Sequence, residues 1–212
     1  MTWSVVLDIE TVQPVDFRAL RRRSGFRPWT DACWEHVLPA QVCAQRVDDD
    51  TGAVVDEFEC VIRADDWYGI AHEFNNPYCR LDAATVSEGI APADLFSGLL
   101  RISRGASRFI GYNIAFDMGV LRCHAAKAGS PLPDVPDVCL MDAAAAAMGQ
   151  QKWPKLQEAF EALCGQTADE SMTHDARYDV HMTVQVARAT GYFSAAGTAT
   201  DGAISPMSAM MP

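Results

Sequence analysis

Asp8 and Glu10 close an apolar run that begins at Trp3, with only Ile9 between them. In an extended strand side chains alternate faces, so both carboxylates point the same way, roughly 6–7 Å apart along the backbone. Side by side at neutral pH they repel and raise each other's pKa. A divalent cation, which takes hard oxygen ligands, would compensate; two surface acids at a solvated strand end would carry the same pattern. A second stretch, Gly111-Tyr112-Asn113-Ile114-Ala115-Phe116-Asp117, runs from a strand into a helix. Asn113 is a natural N-cap there. Asp117 falls near the first turn, able to reach a site at the end of a sheet, with Phe116 packing inward on another face. The third stretch is His174-Asp175-Ala176-Arg177-Tyr178-Asp179-Val180-His181. On one continuous helix His174 and Asp179 would lie about 500° apart and face different directions. If Asp175 caps the helix, His174 lies in the preceding loop and can swing over the site that Asp179 faces. Histidine is the side chain whose ordinary pKa allows proton transfer near pH 7.

Residues 3–9 read as a buried strand with carboxylates at its end. Residues 41–63 read as a hairpin: Gln41–Val47, a turn over Asp48–Gly52, then Ala53–Arg63. Residues 64–91 are loop-rich with short helical pieces, and 93–104 is a helix with Ala91-Pro92 at its start. A strand is expected over 107–112, a helix over 114–128 stopped by Gly129, and a short strand over 135–140. Helices follow over 142–148, about 155–164 and 175–190, the last two closed by Gly165 and Gly191. Three strands followed by helices alternating with strands fit a mixed sheet with helices packed on it. The stretch 142–147, Asp then five alanines, reads as a tightly packed helix or the lining of a groove.

The chain has 212 residues, 49% of them hydrophobic, enough for one domain with a sizeable core. No apolar run is long enough to span a bilayer, and the start carries no basic region, so neither a membrane segment nor a secretory signal is expected. Seven scattered cysteines without metal-ligand spacing point to reduced, mostly buried thiols and a cytoplasmic setting. The net charge of −11 argues against nucleic-acid binding taken alone. Acids that hold divalent metals count as negative in that sum, although the loaded site is far less so.

Taken together, Val6-Leu7-Asp8-Ile9-Glu10-Thr11, Asn113-Ile114-Ala115-Phe116-Asp117 and His174-Asp175-Ala176-Arg177-Tyr178-Asp179 resemble the three motifs of the DEDDh 3′→5′ exonuclease superfamily, of the proofreading-subunit and RNase T type. The resemblance runs from residue 3 to about 190, with the motifs in order. It implies an α/β, ribonuclease H-like mixed sheet flanked by helices. It implies two Mg²⁺ or Mn²⁺ ions on Asp8, Glu10, Asp117 and Asp179, with His174 as general base on the attacking water. It sets Thr11 and Asn113 beside the nucleic acid. The related class with tyrosine in the third motif wants that tyrosine where Asp175 stands, so the histidine class fits better. The activity implied is release of nucleoside monophosphates from single-stranded or frayed DNA 3′ ends. Trimming of RNA ends is the alternative, and a non-catalytic nucleic-acid-binding domain of the same fold a third reading. A polymerase or repair partner is compatible with it; a membrane is not expected.

Two stretches depart from that pattern. Val12 stands where the family often has a second threonine, and Glu88-Gly89-Ile90-Ala91 replaces a His-Gly-Ile-Thr stretch. The exonuclease domain is expected over 1–192 with an insertion at about 11–40, and 193–212 as a flexible tail. In the insertion Arg18, Arg21, Arg22, Arg23 and Arg27, with Trp29 and Trp34, could track a phosphate backbone and stack a base, or form a solvated helix face and two tryptophans tucked onto the core. His181 could touch the edge of the site or serve only in packing.

Overall fold

The computed structural model describes residues 2–12, 34, 37–63, 81 and 83–193. The arginines 18, 21, 22, 23 and 27, Trp29 and the segment 194–212 lie outside them. Five strands form one sheet in the order β3-β2-β1-β4-β5: β1 Trp3–Val12, β2 Leu38–Asp48, β3 Val54–Val61, β4 Phe109–Gly111 and β5 Asp137–Cys139. β1 to β3 form an antiparallel meander, and β4 and β5 join parallel to β1. The described helices are α1 Ala83–Ser87, α2 Pro92–Ser103, α3 Ile114–Lys127, α4 Leu140–Ala147, α5 Leu156–Cys164 and α6 Ala176–Ala189. This mixed sheet with helices on both faces is the ribonuclease H-like architecture.

Alternation along β1 builds the two faces. Val5, Leu7 and Ile9 point into one core with Leu95, Phe96 and Leu99 of α2 and Met118 and Leu121 of α3. Val6 points into the other, with Leu140 of α4, Phe160 of α5 and Val180 and Val184 of α6. Period-two patterning thus puts Asp8 and Glu10 on the α6 side, on the same face as Val6. Both cores are sealed by fully buried aliphatic side chains. Among the described residues no helix is long and apolar enough to cross a membrane.

Several boundaries differ from the sequence reading. β2 begins at Leu38, ahead of the expected Gln41. Pro39 is accommodated because the pairing register slips between Glu10 and Thr11, opposite it, and a bulge tolerates a missing N–H donor. β1 correspondingly runs on to Val12. β4 and β5 are shorter than expected, and α4 starts at Leu140 without waiting for Asp142. Pro92 opens α2 as expected, and Gly165 closes α5 at φ 68°.

Trp34 belongs to the core: it is 7% exposed, stacks edge-on against Phe116 at 5.7 Å and fits over Gly119, where a Cβ would meet its ring at 2.4 Å. The base-stacking alternative for Trp34 is therefore set aside. The alanine run does both things proposed for it. Ala144 and Ala145 are buried, while Ala143, Ala146 and Ala147 line a shallow depression with Ala189 to Tyr192. Five described cysteines, 43, 60, 123, 139 and 164, are free thiols. Burial pushes Cys43 well up and Cys60 up to about 12, so both stay protonated and inert.

Candidate functional site

Strand order decides where a site can form. From β1 the chain passes outward through β2 and β3, then returns to the other flank of β1 with β4 and β5. In open α/β sheets the crevice at such a reversal, outside the carboxyl ends of the parallel strands, is where ligands bind. The carboxyl ends of β1, β4 and β5 share one edge, and α3, α4 and α6 start there.

Three chain segments deliver acids to that edge. Glu10 on β1 is 7% exposed, whereas Asp8 keeps some open surface. Asp117, 4% exposed in the first turn of α3, accepts the Ile9 N–H at 3.3 Å, which locks α3 to β1 between the two strand carboxylates. Asp179, 7% exposed in the first turn of α6, completes the set. Burial, then the charges of Asp117, Asp179, Glu10 and Asp175, hold the Asp8 carboxyl well above its ordinary range. Burial raises Asp117 to about 8 against the pull of its two N–H donors, and the Asp179 charge adds to the rise. Carboxylates that raise one another in this way form one electrostatic unit.

His174 joins them from the loop. Asp175 is the N-cap of α6, its Oδ1 accepting the Tyr178 N–H at 3.0 Å, so His174 lies outside the helix as the capped alternative required. The His174 backbone is left-handed, φ 63°, a conformation few non-glycine residues adopt. That turn brings its ring over the acids: ligand atoms of Glu10, His174 and Asp179 lie within 4.8 Å of one another. Two hard carboxylates and an imidazole at that separation could hold a metal ion, and a cation there would relieve the repulsion that lifts the neighbouring acids.

Other expected residues settle differently. Asn113 occupies the N-cap position of α3, yet its side chain makes no capping bond, because its backbone is left-handed, φ 68°, and turns it away from the helix N–H groups. It is exposed. Thr11 is buried at the bulge, 6% exposed. Tyr178 accepts the Asp169 N–H through its hydroxyl at 2.8 Å and so props the loop before His174. His181 stacks on Tyr178 at 6.4 Å and lies edge-on to Phe160 at 6.3 Å, a packing role. Gly89 is required where it stands: a Cβ would lie 2.8 Å from the backbone of Val61, Ile62 and Arg63, while the neighbouring Ile90 donates its N–H to Val61 and accepts that of Arg63.

One residue of the site escaped the sequence reading. Gln41 lies opposite Glu10 in the β1–β2 register. Its amide donates to Asp175 Oδ2 at 3.2 Å and to Glu59 at 3.4 Å, and its carbonyl accepts the Ala176 N–H at 3.2 Å. It clamps the start of α6 to the sheet. The signal was available: Asp48 opens the hairpin turn and pairs with Trp3, so counting back seven residues from it sets Gln41 against Glu10.

Fold and site together define a ribonuclease H-like domain with an acidic, imidazole-flanked cluster at its strand ends. No protein-family model matches the sequence, and no curated protein matches it. Solved structures do. The zinc-ion-bound form of an E. coli ExoI–ssDNA complex superimposes with a TM-score of 0.61 at 18% identity, over 89% of this chain and 41% of that one. E. coli exonuclease I in complex with a dA16 oligonucleotide gives 0.60 at 16% identity, over 90% of this chain and 42% of that one. Product-bound exonuclease I gives 0.58 at 18% identity, over 89% and 43%. At such identities the likeness is one of fold, and this chain spans about two fifths of the length of those exonuclease chains.

Proposed function

We propose that the chain is a divalent-metal-dependent 3′→5′ exonuclease of the DEDDh type, acting on single-stranded or frayed DNA ends and releasing nucleoside monophosphates. The observation that carries the reading is convergence. Glu10 from β1, His174 from the loop and Asp179 from α6 present ligand atoms within 4.8 Å of one another, and Asp8 of β1 feels the charges of Asp117, Asp179 and Glu10. The shared fold with exonuclease I supports it, and the single-stranded DNA in those complexes favours DNA over RNA.

In this reading Asp8, Glu10, Asp117 and Asp179 hold two Mg²⁺ or Mn²⁺ ions, which when bound neutralise the phosphodiester and lower the pKa of water. His174 accepts the proton of the attacking water. The water oxygen bonds to phosphorus as the bond from phosphorus to the 3′-oxygen of the penultimate nucleotide breaks, and that oxygen takes a proton from solvent to become a hydroxyl. The products are a nucleoside 5′-monophosphate and a strand one nucleotide shorter. Because carboxylates and bound cations carry the charge at the reaction centre, the chemistry is compatible with a net charge of −11.

The test is a 5′-labelled DNA oligomer and its RNA counterpart, each incubated with Mg²⁺ or with EDTA. The reading expects a ladder shortened from the 3′ end, faster on DNA and absent in EDTA. Faster shortening of RNA reverses the substrate order, and an intact strand with Mg²⁺, and again with Mn²⁺ in its place, overturns the proposal.

A further inference from the structure

Among the described residues three large hydrophobic side chains are exposed: Val54, Val55 and Trp153. The valines start β3, at the end of that strand away from the acids. Trp153, 63% exposed, is the aromatic among them, and it lies on the same edge as the site. Its indole N–H donates to Asp142 Oδ1 at 2.7 Å, in the first turn of α4, immediately after β5. The next residue, Pro154, is buried, and its carbonyl accepts the Tyr112 hydroxyl at 2.6 Å, where β4 gives way to α3. The ring is thus held open to solvent by one bond on the ring and one on the adjacent backbone, each anchored at the carboxyl end of a strand parallel to β1.

The charge around it is as unusual. The sequence contains three lysines, Lys127, Lys152 and Lys155, and two of them flank this ring. Both are exposed. Arg101, Arg108, Arg122 and Arg177 are each spent on carboxylates of the protein. Neither Lys152 nor Lys155 is paired with an acid among the described residues. In a chain this acidic, an open indole between two uncommitted ammonium groups is the combination that binds single strands: a π-face for a base and cations for the phosphates beside it.

We infer that Lys152, Trp153 and Lys155 form a ledge on which the single strand leading to the acidic cluster rests, with one base stacked on Trp153. The inference deepens the exonuclease reading and rests on it for the direction of the strand. Two strand spacings separate β5 from β1, about 10 Å. That is about three stacked nucleotides at ~3.4 Å each, so the ledge would meet the strand a few nucleotides upstream of the scissile bond.

The experiment uses the whole chain, oligothymidylates of two and twelve nucleotides, and EDTA to prevent cleavage. For Trp153→Ala, affinity for the twelve-mer is expected to fall about 5- to 150-fold, the effect of losing one base–aromatic stack, and the affinity gained between two and twelve nucleotides should shrink with it. Trp153→Phe, which keeps a ring, should retain most of the binding. The tryptophan emission quenched on adding the twelve-mer to wild type should be missing in Trp153→Phe, a readout that does not depend on the alanine variant folding. Lys152→Gln with Lys155→Gln should flatten the slope of log affinity against log salt by about 1.4, two phosphates at ~0.7 each. Unchanged twelve-mer affinity in Trp153→Ala, or equal quenching in wild type and Trp153→Phe, overturns the ledge. The two readings fail separately. Strand binding that depends on Trp153 without any Mg²⁺-dependent shortening leaves the ledge and removes the exonuclease. Shortening with binding indifferent to Trp153 does the reverse.

Discussion

Asp117 sits where its charge is hardest to carry: buried, facing other acids, and held up to about 8. Asp117→Asn keeps the shape and removes the charge. We expect Mg²⁺-dependent shortening to fall about 10²- to 10³-fold, the range found on removing one group that stabilises transition-state charge. The same variant should melt higher than wild type in EDTA at pH 8, since it no longer buries a carboxylate among carboxylates. Lower activity together with lower metal-free stability would mean that Asp117 is an ordinary structural residue. His174 makes a second case. His174→Ala should lower kcat about 10²- to 10⁴-fold and remove the acid limb of the pH–rate profile, leaving KM nearly unmoved. His174→Gly should be as slow, yet more stable than the alanine variant by about 1 kcal/mol, because glycine adopts φ 63° without strain. That Glu10, His174 and Asp179 come together was legible from three ordered motifs that resemble a known family, not from any one of them. The left-handed turns at Asn113 and His174 were not, because each depends on the helix start that follows it.

Among the elements, α6 carries Asp179 and follows directly on the His174 loop, so its seating on the sheet governs the site. Gln41 provides that seating through Asp175 and Ala176. Gln41→Ala leaves buried polar groups unmatched and should cost about 1–3 kcal/mol in urea denaturation. It should lower kcat more than it raises KM, since the loop loses its anchor while the substrate surface stays. Gln41→Glu adds a carboxylate among Glu10, Glu59 and Asp175, and should destabilise more at pH 8 than at pH 5. Equal loss at both pH values would show that packing, not charge, is what Gln41 supplies. Helix starts at Pro92 and Asp175 and stops at Gly165 were readable because caps are local chemistry. The early start of β2 was not, because Pro39 argues against a strand until the bulge opposite Thr11 is known. Gln41 was reachable only by counting register across the hairpin, a relation between strands rather than a motif.

Across the whole molecule, the buried acids tie stability to pH. For an acid raised in the folded state, the stability it contributes is fully present below the ordinary carboxylate pKa of about 4 and lost as pH rises through the folded value. Asp117 defines a window from about 4 to about 8, and Asp8 acts in the same direction. In EDTA the melting temperature should therefore fall between pH 5 and pH 8, and Mn²⁺ should restore it most at pH 8. A melting temperature indifferent to Mn²⁺ at pH 8 would remove the metal from the account. The layered fold and the order of its elements were legible because hydrophobic periodicity switches cleanly between strand and helix. Strand order was not, because the return of β4 to the far flank of β1 leaves no local trace.

We propose that acids from β1, α3 and α6 share paired cations. The most direct test is a crystal soaked in Mn²⁺ with thymidine 5′-monophosphate, read by anomalous scattering. Two manganese peaks are expected among the carboxylates of Asp8, Glu10, Asp117 and Asp179, with the nucleotide phosphate next to them and to the His174 ring. A map with nucleotide bound elsewhere and no manganese at these carboxylates would contradict the proposal.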